Sequence, residues 1–114
     1  MKYFYSLLLG IITTSLAFGQ SCTELFFSEY LEGSSNNKSI EVYNPSTSTV
    51  NLSSYQIHRF NNGSATSSGT FTLSGTLDSG EVYVISNPSA NTSIMGKSDT
   101  TSSITYYNGD DVLL

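Results

Sequence analysis

The sequence predicts an all-β domain of short antiparallel strands, arranged as a sandwich or a barrel. Apolar and polar residues alternate in runs such as Ser39–Tyr43, where Ile40 and Val42 fall on one side of the chain and Glu41 on the other. This period of two is the pattern of a strand. Charged residues make up only 11% of the chain, and the abundant Ser, Thr, Asn and Gly suit exposed strand faces joined by tight turns. Each sheet of this kind must bury its apolar face against another layer.

The N-terminal residues 1–19 have the pattern of a secretory signal peptide. Lys2 gives a short positive region, an apolar stretch runs over residues 7–16, and Ala17 and Gly19 place small residues before a cleavage site at Gln20. A retained membrane anchor is the less favoured alternative, because spanning a bilayer takes about 20 predominantly apolar residues. We therefore expect a secreted protein, extracellular or periplasmic, with no membrane association once the leader is removed.

Residues 20–114 are enough for one small domain and leave no room for a second. The chain carries 4 basic and 9 acidic residues, so removing Lys2 leaves 3 against 9, a net charge near −6. This balance disfavours direct nucleic-acid binding, which depends on clustered Lys and Arg. The single cysteine, Cys22, excludes an internal disulfide. The residues before Cys22 lack the aliphatic side chain expected for lipid attachment, and no Cys/His spacing suits zinc.

The strands are predicted in order from the apolar runs and the turn residues between them. Breakers include Asn44-Pro45-Ser46 and Asn61-Asn62-Gly63. One helical turn is predicted within Ser89–Lys97, capped by Asn91 or Ser89 and ended by Gly96. The predicted strands are Glu24–Tyr30, Ser39–Tyr43, Tyr55–Phe60, Thr70–Leu73, Glu81–Ser86, Ile104–Tyr107 and Val112–Leu114, with a short bridge at 50–52.

Four segments, in this order, resemble the lamin-tail domain. They are Glu41-Val42-Tyr43-Asn44-Pro45, then residues 50–57, then residues 75–85, and finally Asn108-Gly109-Asp110-Asp111-Val112-Leu113-Leu114. Residues 28–38 look like the bacterial, secreted branch of that family. The resemblance implies an immunoglobulin-like β-sandwich over residues 20–114. It also implies an accessory or binding role, often beside extracellular nuclease or phosphatase domains. Because the family continues beyond the strand that ends at Leu114, we expect this chain to lack the last strand of the domain.

Oxygen-bearing side chains cluster near the first predicted turn. Glu29, Glu32, Asn36, Asn37 and Glu41 fall within thirteen positions, and Asp110 approaches them if the last strand pairs near the first two. Such groups suit Ca²⁺, so the candidate ligands are Glu29, Glu32, Asn36 and Asp110. The favoured alternative is that the glutamates are ordinary strand residues, while the Asn and Asp side chains bond to their own turns. No other cofactor is expected.

The sequence does not predict an independent enzyme. His58 is the only histidine, and no Gly-x-Ser-x-Gly elbow occurs. We expect a secreted, non-catalytic interaction or targeting module, an accessory domain of a larger extracellular protein, whose partner is a protein or polysaccharide. One alternative is a Ca²⁺-dependent adhesion or carbohydrate-binding module, in which Tyr106 and Tyr107 stack on sugar rings. Another is the N-terminal part of a secreted nuclease or phosphatase, whose catalytic domain lies outside this chain.

Overall fold

The computed structural model describes residues 22–114, and within that range the regular structure is mostly β, with several small sheets and one short helix. The predicted signal peptide lies outside the described residues. The elements are β1 (Phe26–Glu32), β2 (Lys38–Tyr43), β3 (Val50–Asn51), β4 (Gln56–Phe60), β5 (Gly69–Thr72), β6 (Thr76–Leu77), β7 (Val82–Ser86), α1 (Thr92–Met95), β8 (Thr100–Thr101) and β9 (Val112–Leu113).

The strands form three small sheets. The largest has the order β1-β2-β7-β8, the second has the order β5-β4-β9, and β3 pairs with β6. Every pairing is antiparallel apart from β7 with β8, which is parallel. The prediction of an all-β fold is confirmed, and the arrangement is consistent with an immunoglobulin-like sandwich.

One apolar core joins the sheets. On β2 the odd-numbered side chains are half-buried and Ile40 and Val42 are buried, as the alternation predicts. Leu52 is fully buried at the start of a 3₁₀ turn, and Ile57 on β4 is 3% exposed. Because side chains from both larger sheets enter this cluster, the two sheets stabilise each other. The core consists of Ile40, Val42, Leu52, Ile57, Leu73, Leu77, Ile85, Ile104 and Tyr107.

The first strand begins and ends two residues later than predicted. Its ladder with β2 continues through the pair Leu31 and Ser39 to Glu32 and Lys38, next to the turn. Glu32 Oε1 lies 3.6 Å from Lys38 Nζ, so the end of the hairpin carries an ion pair. The alternation of residues within β1 did not predict where the strand ends, because pairing with β2 determines that point.

The short helix was predicted correctly. Asn91 Oδ1 accepts a hydrogen bond from the Ile94 N–H at 3.0 Å, which is the N-cap contact expected of Asn91. The segment that follows is tied to the end of β7, where Ser98 Oγ donates to Ser86 Oγ. The helical turn is thereby held against one end of the four-stranded sheet.

The prediction of a strand at Ile104–Tyr107 was wrong. Ser103–Thr105 form a 3₁₀ turn, which is capped by the Ser102 side chain at the Ile104 N–H. Ile104 and Tyr107 are both buried, at 2% and 0% exposure. In a strand, residues three apart would face opposite sides of the sheet, so the 3₁₀ turn that interrupts the extended chain here allows both side chains to enter the core. The two-residue strands β6 and β8 were not predicted, because runs that short carry no periodicity.

Candidate functional site

A broad surface depression lies on the outer face of the four-stranded sheet. Cross-strand pairing places Glu29 beside Glu41, and Glu41 beside Val84, on the side of the sheet opposite the buried Ile40 and Val42. The α1 helix forms one wall. We call this surface the outer groove; it has a volume of about 880 Å³. Its lining includes Glu29, Leu31, Glu41, Val82, Val84 and Ile94.

Two carboxylates of like charge lie side by side on the floor of the outer groove. Glu29 and Glu41 are direct partners across β1 and β2. The Ser28 hydroxyl donates to Glu41 Oε1 at 2.7 Å. Among residues 22–114, Lys38 and Glu32 form an ion pair within 4.0 Å. Glu29 and Glu41 have no basic side chain within that distance in the same part of the chain. Like charges directly opposite each other destabilise a strand pair.

A second, smaller groove opens between the two larger sheets. Its volume is about 310 Å³, and its lining is apolar, with Phe27 and Val42 from one sheet and Ile57, Leu73 and Leu114 from the other side. Such a lining can hold an apolar side chain. Tyr55 and Gln56 also line this groove and are its polar side chains.

The structure distributes the candidate calcium ligands over different surfaces. Glu29 lines the outer groove, whereas Glu32 lies on the opposite face of β1, where it accepts a hydrogen bond from the Tyr30 hydroxyl at 2.9 Å. Asn36 lies in the exposed turn before Lys38, whose N–H donates to the Asn36 carbonyl at 2.8 Å. The side-chain amide of Asn62 lies 3.0 and 3.1 Å from the two carboxylate oxygens of Asp110 and donates to both when its nitrogen is turned toward them.

Within the described part of the chain, no group of three or more His, Cys, Asp or Glu side chains is arranged to hold a metal ion. A calcium site made of Glu29, Glu32, Asn36 and Asp110 therefore stays a prediction from the sequence. Hydrogen bonding to turn backbone, which was favoured for Asp110, is observed for its neighbour Asp111. Asp111 accepts hydrogen bonds from the Asn62 N–H at 2.9 Å and the Asn108 N–H at 3.1 Å.

A cluster around Tyr107 fastens the end of the β1–β2 hairpin. The rings of Tyr30 and Tyr107 stack with centroids 4.5 Å apart, and Lys38 Nζ donates to the Tyr107 carbonyl. The Tyr107 hydroxyl contacts the carbonyls of Leu31 and Ser39 at 2.7 and 2.8 Å. Burial raises the pKa of Tyr107 well above its usual value of 10.0, and the nearby tyrosine and glutamate add to the shift. Desolvation, with the Glu32 contact, raises the pKa of Tyr30 to about 12.

This burial separates the two tyrosines that were predicted to stack on sugar rings. Tyr106 is 53% exposed, whereas Tyr107 is 0% exposed and belongs to the core. The pair therefore presents one ring to solvent, and a binding platform of both rings is not formed.

His58 lies on β4 in a half-buried position. Its Nδ1 is 3.0 Å from Thr70 Oγ1, and its ring faces that of Phe60 with centroids 6.5 Å apart. No carboxylate hydrogen-bonds to the ring among the described residues, so the His–carboxylate pairing used for general base catalysis is not assembled.

The sequence did not reveal that Asn44 carries a buried side chain with several hydrogen bonds. This side chain is 0% exposed. Its Nδ2 donates to the carbonyls of Ser48, Leu77 and Asp78 at 2.9 to 3.1 Å, and its Oδ1 accepts from Ser46. The Asn-Pro dipeptide indicated a turn correctly. It gave no sign that Leu77 and Asp78, more than thirty positions away, would converge on the same amide.

Comparison with known proteins gives one family. The family model described as Lamin Tail Domain matches residues 19–114. No curated protein and no solved structure matches the chain significantly. Among the described residues, no helix has both the length and the apolar character needed to cross a membrane.

Proposed function

The chain belongs to the lamin tail domain family, and from that premise we propose that it acts as a secreted interaction or targeting module that carries no catalytic activity of its own. The observation that carries the proposal is the distribution of exposed apolar side chains. Half of the large hydrophobic residues exposed among the described residues belong to one strand, β1: Phe26, Phe27, Tyr30 and Leu31, from a total of eight. Exposed apolar side chains concentrated along one strand are typical of an interaction surface.

The strand β1 is also an edge. It lies at the end of the order β1-β2-β7-β8, and all seven of its residues are exposed. An edge strand offers unpaired backbone groups as well as side chains, and proteins use such edges to bind extended segments of partners. The proposed partner is a protein outside the cell. The acidic charge of the chain argues against a nucleic-acid backbone as the ligand.

The proposed location follows from the leader pattern at residues 1–19. Export with cleavage before Gln20 would make Gln20 the first residue of the mature protein. N-terminal sequencing of protein recovered from the medium or periplasm of the producing cells tests this proposal. A mature chain beginning at Gln20 is expected, and a chain that keeps Met1 and stays in the membrane fraction would contradict it.

Two assays test the absence of catalysis and the role of β1. Purified protein is expected to leave phosphate esters, DNA and RNA intact. Hydrolysis that disappears in His58→Ala or Glu29→Gln would overturn the proposal.

For binding, a photo-crosslinking residue is placed at Leu31 in the exported protein, with Ser74, an exposed loop residue, as the matched control. Adducts at position 31 and none at position 74 are expected, and adducts confined to position 74 would exclude β1 as the contact surface.

A further inference from the structure

Resting on the proposed interaction role, we propose that the outer groove binds a basic, extended peptide segment of a partner protein. The groove is a sheet face with three strands as its floor and the α1 helix as its wall. Its aliphatic lining comes from Leu31, Val82, Val84 and Ile94. These side chains offer an apolar surface on which the aliphatic side chains of a peptide can pack.

The charge of the occupant follows from Glu29 and Glu41. The two carboxylates are cross-strand neighbours, and neither has a Lys, Arg or His nitrogen within 4.0 Å among residues 22–114. Lys97 also lines the groove but does not approach either carboxylate that closely. A Lys or Arg side chain from a partner would supply the positive charge that these two neighbouring carboxylates lack.

An extended peptide that crosses the strands can reach both the carboxylates and the aliphatic lining. Side chains on one face of an extended segment repeat every two residues, about 6.6–6.8 Å apart. Glu41 lies between Glu29 on β1 and Val84 on β7. A segment that crosses the sheet can therefore place a basic side chain over the carboxylates and the next side chain of the same face over the valine. An alternating basic and aliphatic peptide meets both needs.

The test uses two synthetic peptides and two double variants of the purified protein. One peptide alternates Arg with Val and Leu, and the other has Gln in place of each Arg. In Glu29→Gln/Glu41→Gln the groove loses two charges. In the control, Asp78→Asn/Asp110→Asn, the same number of charges is removed outside the groove. Binding is measured by fluorescence anisotropy at about 50 mM salt, where screening of surface charges is modest.

We expect the wild type and the control to bind the basic peptide at least about ten-fold more tightly than its Gln counterpart, and the groove variant to lose that preference. A third variant, Val84→Thr, keeps the shape of the side chain and is expected to weaken binding about three-fold. Equal binding of both peptides to wild type, no binding, or equal losses in the two double variants would overturn the inference. Hydrolytic activity would overturn the proposed function instead, whatever the peptides do.

Discussion

Replacement of Tyr107 by Phe isolates the contribution of one buried hydroxyl. The ring is fully buried and its hydroxyl contacts two backbone carbonyls, those of Leu31 and Ser39, which belong to partner strands of one hairpin. Because a phenol has a single proton, the two contacts share one donor. Phe keeps the ring, the stacking on Tyr30 and the core volume, so the change removes only the hydrogen bonding.

The expected magnitude follows from that single donor. A hydrogen bond contributes about 0.5–1.5 kcal/mol net, and leaving buried acceptors without their donor adds to the cost. We expect Tyr107→Phe to lower the free energy of unfolding by about 1–2 kcal/mol, and each kcal/mol to lower Tm by about 4–8 °C in a domain of this size. Tyr107→Ala, which also removes the ring, should cost about 3–5 kcal/mol.

Urea unfolding followed by circular dichroism measures these differences. The control is Tyr106→Phe, because Tyr106 is the adjacent residue and is 53% exposed. Its variant should stay within about 0.5 kcal/mol of the wild type. The reasoning would be refuted if Tyr107→Phe were no less stable than Tyr106→Phe, since the hydroxyl would then contribute nothing net.

Three further predictions concern stability. Asn44→Asp should destabilise the fold by about 3 kcal/mol or more, because a carboxylate cannot donate to the carbonyls of Ser48, Leu77 and Asp78. Equal urea midpoints for the variant and the wild type would contradict this prediction. Gly80→Ala should lower the free energy of unfolding by about 1–2 kcal/mol, because Gly80 has φ +77. Gly109 has no positive φ and has open space around it, so Gly109→Ala should be nearly neutral. Similar Tm values for the two variants would reject the backbone argument. Stability should fall as the pH rises from 10.0 through about 12, because the raised pKa of Tyr30 keeps the folded state protonated where the unfolded chain has ionised. Tyr30→Phe should flatten that decline in urea midpoints measured across the same pH range, and an unchanged slope would speak against it.

The sequence by itself determined the fold class, the family, and local features such as strand alternation and helix capping. Alternation at Ile40 and Val42 identified a strand with one buried face, and Asn91 was correctly expected to cap a helical turn. These features depend on residues close together in the chain, where periodicity and capping preferences act directly.

Only the tertiary structure decided which distant groups meet. The placement of Glu29 beside Glu41, the burial of Tyr107 next to the exposed Tyr106, and the convergence of two distant carbonyls on Asn44 all depend on strand register and on contacts far apart in sequence. A shift of one residue in register would move every side chain of β1 to the other face. The outer groove and the Tyr107 cluster are therefore products of pairing between elements, which no local pattern encodes.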